Sequence, residues 1–125
     1  MKHRIQVWRQ RRKNERLRRA VIANDLEGTR KALAHGANPN ARIGRNNILR
    51  DAISHAGLPM VKILVEAGAD PLAGDPFGAW IVPYSMCAEQ YSTPDVAEFF
   101  RMIERESPEP YRQPRRVTPF CNLRP

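Results

Sequence analysis

A five-residue segment of this chain occurs twice, and the two copies lie 32 residues apart, at positions 35 and 67. The first copy is His35-Gly-Ala-Asn-Pro39 and the second is Ala67-Gly-Ala-Asp-Pro71. Apolar residues around each copy recur at the same shift, so that Leu17 corresponds to Leu49. Because one shift aligns two apolar faces and a turn, the repetition favours an array of similar units, each packing on its neighbour.

The apolar residues between the ends of the chain have helical spacing. Two of these faces end at His35-Gly36 and at Ala67-Gly68, where glycine readily adopts the left-handed backbone that closes a helix. A further helix is predicted from Ile81 to Glu89, with a proline in its first turn, and another around Phe99. We therefore expect an all-α fold made of helix–turn–helix units.

These residues resemble the ankyrin repeat, whose unit is an inner helix, a tight turn, an outer helix, Gly-Ala-Asp/Asn and a hairpin-like loop. The segment from Val61 to Pro71 is similar to the outer helix and its exit, and Asp25-Leu-Glu-Gly28 is similar to the turn between helices. The resemblance covers roughly residues 14–105 and implies a short solenoid of about three repeats. The family's Thr-Pro-Leu-His is replaced by Asn46-Asn-Ile-Leu49 and by Trp80-Ile-Val-Pro83.

Charge divides the chain into three parts. Residues 1–19 carry a net charge of +8, residues 20–106 carry −3, and residues 107–125 carry +3. Five of the eleven prolines lie in the last part, which predicts an extended tail. We therefore expect a basic N-terminal extension over 1–13, an ankyrin-repeat domain over 14–106 and a basic, proline-rich tail over 107–125.

The resemblance also implies a surface for protein partners. Ankyrin repeats usually bind partners through their loop tips and inner-helix face, and arginine and aromatic residues are favoured at such interfaces. The matching positions here are Arg42, Ile43, Arg45, Asn46, Arg50, Asp75, Phe77, Trp80 and Tyr84. An alternative is that Phe77 and Trp80 fill the space left by the missing Thr-Pro-Leu-His contacts.

The N-terminal segment contains nine Lys and Arg among its first 19 residues, without proline or glycine. It is therefore predicted to extend the first helix, and an RNA or DNA backbone is the expected counterpart of its charge, since arginine pairs with phosphate through two hydrogen bonds. The candidate nucleic-acid contacts are Arg4, Trp8, Arg9, Arg11, Arg12, Lys13, Arg16, Arg18, Arg19, Arg112, Arg115 and Arg116.

Three other interpretations of this segment stay open at this point. It is also similar to a mitochondrial transit peptide, although it lacks the usual serines. An anionic membrane surface would suit the charge as well. The simplest alternative is a solvated basic tail that binds nothing.

Catalysis, cofactors and metals are not expected. Cys87 and His55 are not accompanied by a motif for an oxyanion site or an orienting carboxylate, and the remaining cysteine and histidines, Cys121, His3 and His35, do not have metal-ligand spacing. No apolar run is long enough to span a membrane. Reduced thiols and the lack of a secretion signal favour an intracellular site, in the cytoplasm or a mitochondrion.

The predicted function is a non-catalytic ankyrin-repeat scaffold or adaptor. It would bind protein partners through its loops, and its basic ends would tether it to RNA in a ribonucleoprotein assembly such as a cytoplasmic or mitochondrial ribosome. The alternative is a plain protein-binding adaptor or inhibitor with solubilising tails and no nucleic-acid role. No small-molecule substrate is expected in either case.

Overall fold

The computed structural model of the chain describes residues 2–44, 46–77, 80–107 and 114–116. These residues are mostly helical with little sheet, as the sequence predicts, and they form six helices and five short strands. The elements in chain order are α1 (Lys2–Ile22), α2 (Leu26–Ala34), β1 (Arg42–Ile43), β2 (Asn46–Asn47), α3 (Ile48–His55), α4 (Leu58–Glu66), β3 (Asp75–Phe77), β4 (Trp80–Val82), α5 (Tyr84–Tyr91), α6 (Pro94–Arg105) and β5 (Arg115–Arg116).

The chain forms two compact units, Met1–Asp70 and Pro71–Pro125. The first contains α1 to α4 and the antiparallel β1–β2 hairpin. The second contains α5, α6 and a sheet in which β4 lies between β3 and β5. Helix α1 runs without interruption through residues 13 and 14, so the predicted basic extension and the first helix of the repeat region are one element.

The first unit is held together by apolar side chains three or four residues apart on its helices. Leu17 and Val21 of α1 are fully buried, as are Ile48 of α3 and Leu64 of α4. Helix α1 packs against both α2 and α3. Each of these buried side chains contributes about 1.5 to 3 kcal/mol of hydrophobic stabilisation, and together they fix which side of α1 faces the solvent.

The exit turns of α2 and α4 have the same hydrogen bonds. Gly36 donates its backbone N–H to Leu33, and Gly68 donates to Val65, both over 3.0 Å. In each turn the next alanine donates to the carbonyl five residues earlier. Gly36 and Gly68 have φ angles of 98° and 110°, a left-handed conformation that side chains resist. The recurrence predicted from the sequence is therefore a recurrence of backbone geometry.

A side-chain amide binds the second of these turns. Asn40 accepts a hydrogen bond from the backbone N–H of Asp70 over 2.8 Å and donates one to the carbonyl of Gly68 over 2.9 Å. Both backbone groups lie beyond the end of α4, where helical hydrogen bonds are no longer available. The loop after α2 is thereby joined to the loop after α4.

Helix α1 supplies the equivalent amides to the first turn. Asn14 accepts from the backbone N–H of Asn38 over 2.8 Å, and Gln10 donates to the carbonyl of Gly36 over 3.0 Å. Gln10 also donates to Asn14 over 2.9 Å, which holds the two side chains together. These two residues of α1 thus do for the first turn what Asn40 does for the second.

The second unit is built around two aromatic rings. Tyr84 begins α5 and Phe100 lies in α6, with 5.3 Å between their ring centroids. The helix predicted from Ile81 to Glu89 begins only at Tyr84, because Ile81 and Val82 belong to β4. Both are β-branched residues that favour strands, and the proline at position 83 precedes the first helical residue.

The described part of the C-terminal tail is a strand rather than an unpaired extended chain. Ile81 of β4 pairs with Arg115 of β5, and Trp80 pairs with Arg116. The Arg115 guanidinium also donates to the carbonyls of Leu72 and Ala73, over 3.1 and 3.0 Å. These contacts hold the described stretch against β4 and against the loop that precedes β3.

Candidate nucleic-acid interface

The solvent side of α1 is set by the residues that it buries. Leu17 and Val21 face the interior of the first unit, so the arginines about half a turn away from them lie in solvent. Arg9, Arg12, Arg16 and Arg19 are all exposed and follow one another along that side. A continuous helix therefore presents a straight row of cations.

A groove between α1 and α2 adds further cations to this row. It has a volume of about 470 Å³, and small residues of both helices line it. We call it the basic groove. Its charged and titratable lining residues are Lys13, Arg16, Arg19, Asp25, Lys31 and His35. With four Lys and Arg against one carboxylate, the basic groove has a net positive charge, which favours an anion.

Two of the groove residues were not predicted: Lys31, in the last turn of α2, and His35, which is the C-cap of that helix. Lys31 and His35 are one helical turn apart, so they lie on the same side of α2. The Nδ1 atom of His35 lies 2.7 Å from the carbonyl oxygen of Lys31 and donates its hydrogen, because a carbonyl oxygen can only accept. This i, i+4 spacing was visible in the sequence, but nothing there placed α2 beside the basic side of α1.

The carboxylate in the basic groove has a structural role. Asp25 is the N-cap of α2, and its side chain accepts a hydrogen bond from the backbone N–H of Gly28 over 3.0 Å. Such a cap stabilises a helix by about 1 kcal/mol. Its charge is thus directed toward the helix N-terminus, whose partial positive charge it offsets.

The first turns of α1 extend beyond its packed part. Every described side chain from Arg4 to Arg9 is exposed, and we call this segment the arm. Trp8 is 55% exposed. The guanidinium carbon of Arg12 lies 4.8 Å from the centroid of the Trp8 ring, which is a cation–π contact. Arg4, Trp8, Arg9 and Arg12 are therefore all at the surface.

Arg11 lies on a different side of α1, in a second cleft. This cleft has a volume of about 520 Å³ and lies between α1 and the β1–β2 hairpin. Arg42 and Ile43 line it from the hairpin, and Val7 and Glu15 line it from α1. Arg11 is thus separated from the basic groove and grouped with residues that the ankyrin resemblance assigns to a protein partner.

The Arg18 side chain forms an ion pair within the first unit. Its Nε donates to Oδ2 of Asp51 on α3 over 3.3 Å, and Asp51 is only 2% exposed. A buried carboxylate needs a cationic partner to offset its desolvation. Arg18 thus has a structural role in the first unit, and its contact with nucleic acid stays a prediction.

The C-terminal candidates also differ from expectation. Arg115 binds two carbonyls of its own unit, so it is held by the protein rather than directed at a phosphate. Arg116 pairs through its backbone in β5, and its side chain lies outside the described residues, as does all of Arg112. In the described part of the chain, the basic interface therefore belongs to α1 and α2.

The residues predicted to bind protein fall into two sets, one in each unit. Arg42, Ile43 and Asn46 lie on the β1–β2 hairpin, and Arg50 follows in the first turn of α3, where it donates to Ser54. Arg45 lies outside the described residues. In this set, Arg42 and Asn46 are exposed, and Ile43 and Arg50 are half-buried.

In the second unit, Asp75 and Trp80 belong to β3 and β4. The Trp80 side chain is 46% exposed, which argues against the alternative that it fills the core. Tyr84 is 1% exposed and packs against Phe100, so it is removed from the predicted contacts. The side chain of Phe77 lies outside the described residues.

Known proteins give no guide to this site. No known family model matches the chain, and no curated protein matches it either. Among residues 2–44, 46–77, 80–107 and 114–116, no group of three or more His, Cys, Asp or Glu is arranged to hold a metal ion. In the same part of the chain, no helix has the length and apolar character needed to cross a membrane.

Proposed function

We propose that this chain is a non-catalytic binding protein of the ankyrin-repeat type that attaches to the phosphate backbone of RNA through α1 and α2. The observation that carries the proposal is the basic groove, in which Lys13, Arg16, Arg19 and Lys31 surround a single carboxylate. Arg12 and, on the arm, Arg9 continue the same charge toward the N-terminal end of α1. Lys and Arg at this density suit the regularly spaced charges of a nucleic-acid strand.

The ankyrin-repeat part of the proposal is supported by local geometry. Two helix pairs end in matching glycine turns, at Gly36 and Gly68, and a β-hairpin separates them. A hairpin, β3–β4, also precedes the pair formed by α5 and α6. About three such repeats would make a short array, and arrays of this kind act by binding rather than by catalysis.

The proposal is tested by titrating the full chain into a labelled 20-nucleotide RNA at two salt concentrations. If Arg9, Arg12, Lys13, Arg16, Arg19 and Lys31 each contact a phosphate, the affinity falls roughly 300-fold between about 50 and 200 mM salt, from a slope of about −0.7 per contact. An affinity that is independent of salt would contradict the proposal, since phosphate binding releases counterions.

A matched pair of variants locates the contact. Lys31→Glu changes a residue of the basic groove, and Arg30→Glu makes the same change one position away on α2, at an exposed residue that does not line the groove. Lys31→Glu is expected to lower the magnitude of the salt slope by about one contact. Arg30→Glu is expected to leave the slope unchanged. Equal effects would mean that general charge, and not the groove, attracts the RNA.

A second candidate function is a protein adaptor, and the cleft beside the β1–β2 hairpin favours it. Val7 and Ile43 give this cleft apolar lining, with Arg11 and Arg42 beside them. An interface of this composition suits a protein segment better than a phosphate backbone. If the RNA does not bind at low salt, this function remains, and Ile43→Asp is the variant expected to abolish it without changing helicity.

A further inference from the structure

We propose that the RNA bound by this chain is single-stranded and that one of its bases stacks on Trp8. The inference rests on the proposed function, and it names the class of RNA that the same interface takes. It is carried by the position of Trp8 on the arm and by the arginines that share its side of α1.

Trp8 provides an accessible aromatic face. Its side chain is 55% exposed, and Ile5, one turn earlier on α1, is 50% exposed. Residues three apart are neighbours on a helix, so the two side chains form one apolar platform. The Arg12 guanidinium lies over the Trp8 ring at 4.8 Å, and a guanidinium plane is itself a surface on which a base can stack.

The platform lies on the same side of α1 as the cations. At 3.6 residues per turn, Trp8, Arg12, Arg16 and Arg19 fall within an arc of about 80°. Trp8 and Arg19 are about 16 Å apart along the helix axis, at a rise of 1.5 Å per residue. An RNA strand whose phosphates contact these arginines in order would therefore reach Trp8 at the N-terminal end of the row.

An unpaired base is the ligand that such a platform fits. In an A-form duplex the faces of the bases are stacked on one another, and only their edges are accessible. In a single strand, a base can turn outward and place its face on an aromatic ring, whatever its sequence. The combination of a basic row with an aromatic ring thus distinguishes single strands from duplexes.

The composition of this side of α1 disfavours a membrane surface. Helices that lie on membranes have a continuous apolar face along their length. Here Ile5 and Trp8 are followed by Arg12, Arg16 and Arg19, so the apolar part is confined to the arm. Binding to anionic vesicles is nevertheless a distinct outcome that the experiment can recognise.

The experiment uses the full chain with Trp80→Phe, which leaves Trp8 as the single tryptophan. Its fluorescence is followed during titration with a 20-nucleotide oligouridine, with an RNA hairpin of equal phosphate number, and with vesicles of an anionic phospholipid. We expect the oligouridine to quench Trp8 and to bind more tightly than the hairpin. Vesicles should leave the emission maximum unchanged.

Two further variants separate stacking from charge. Trp8→Ala, titrated against a labelled oligouridine because it lacks the fluorescent Trp8, is expected to weaken binding by about 5- to 150-fold, the range for one stacked base. Trp8→Phe, measured in the same way, should retain most of the affinity. Val7→Ala is the matched control, because Val7 is 52% exposed on the arm but faces the other cleft. It should bind as the parent does.

Each other outcome has a defined meaning. Salt-dependent binding that is equal for both RNAs and unaffected by Trp8→Ala would overturn the stacking inference and leave the proposed function intact. A blue shift with vesicles, without quenching by oligouridine, would also overturn it, in favour of membrane attachment. Failure of both RNAs to bind at low salt would overturn the inference and the proposed function together.

Discussion

Arg18 donates a hydrogen bond to Asp51 over 3.3 Å, and this ion pair joins α1 to α3. Asp51 is 2% exposed, whereas the Arg18 side chain retains 39% of its accessible surface. The carboxylate has therefore lost most of its water while its partner has not. Arg18 is the cation that allows an acidic residue to lie in the interior of the first unit.

Removing Arg18 should therefore destabilise the first unit. Arg18→Ala leaves a buried carboxylate without this partner, at a cost of roughly 1 to 3 kcal/mol in the free energy of unfolding. Arg16→Ala is the control, because Arg16 is exposed on the same helix, and it should change stability by less than about 0.5 kcal/mol. Urea denaturation followed by circular dichroism measures both. Equal losses of stability in the two variants would show that burial of Asp51 does not require the Arg18 side chain.

Gly68 should be intolerant of a side chain. Its φ of 110° is a conformation that a β-branched residue resists, although no atom lies within 4 Å of an added Cβ. Gly68→Val should thus cost about 1 to 2 kcal/mol from backbone strain alone. Gly57, the N-cap of α4, has a φ of −141°, and Gly57→Ser should be neutral or stabilising because serine is a better cap. Thermal unfolding that ranks the two variants the other way would refute this account.

Asn40 should contribute more than an ordinary surface asparagine. Asn40→Ala removes hydrogen bonds to Gly68 and Asp70, each with a net value of about 0.5 to 1.5 kcal/mol. Asn40→Asp should be worse, because it places a carboxylate oxygen against the carbonyl of Gly68. Asn46→Ala changes an exposed residue of the neighbouring hairpin and serves as the control. Chemical denaturation should rank the losses as Asp greater than Ala at position 40, with the control near zero.

Glu104 should make the stability of the protein depend on pH. Burial raises the pKa of Glu104 above its usual 4.5, and hydrogen bonds from Ser85 oppose that shift in part. The folded state therefore holds the proton more tightly than the unfolded state. The resulting stability is fully present below pH 4.5 and is lost as the pH rises through the folded pKa.

Glu104→Gln removes the titrating group and so tests this dependence. The melting temperature of the variant, relative to the parent, should be higher at pH 7 than at pH 4. Ser85→Ala removes the hydroxyl hydrogen bond that favours the charged carboxylate and keeps the one from the backbone N–H, so its destabilisation should be larger at pH 7 than at pH 4. Differences that stay constant between the two pH values would show that Glu104 does not titrate in this range.

Much of the helical architecture could be predicted because its signals are local. The glycine turns at Gly36 and Gly68 and the apolar spacing around Leu17 depend on residues close together in the chain. The start of α5 was predicted three residues too early, because a short apolar run before a proline fits a strand or a helix. The strand formed by Arg115 pairs with residues more than 30 positions earlier, and no local pattern indicates it.

The candidate site was predictable only in part, for a similar reason. Helical periodicity places Arg12, Arg16 and Arg19 on one side of α1 from the sequence alone. The contribution of Lys31 depends on how α2 packs against α1, and the ion pair of Arg18 depends on a buried acid 33 positions later. Burial of Tyr84 likewise depends on the distant Phe100.

The uninterrupted course of α1 determines how a bound molecule would be held. The helix carries the arm and also Asn14, which binds the turn at Asn38, and Leu17, which is buried. Because an α-helix is stiff over these few turns, the arm keeps a fixed position relative to the packed part of α1. A molecule bound at Trp8 would therefore have a fixed orientation relative to the first unit. A force applied to that molecule would be transmitted to the hydrogen bond between Asn14 and Asn38.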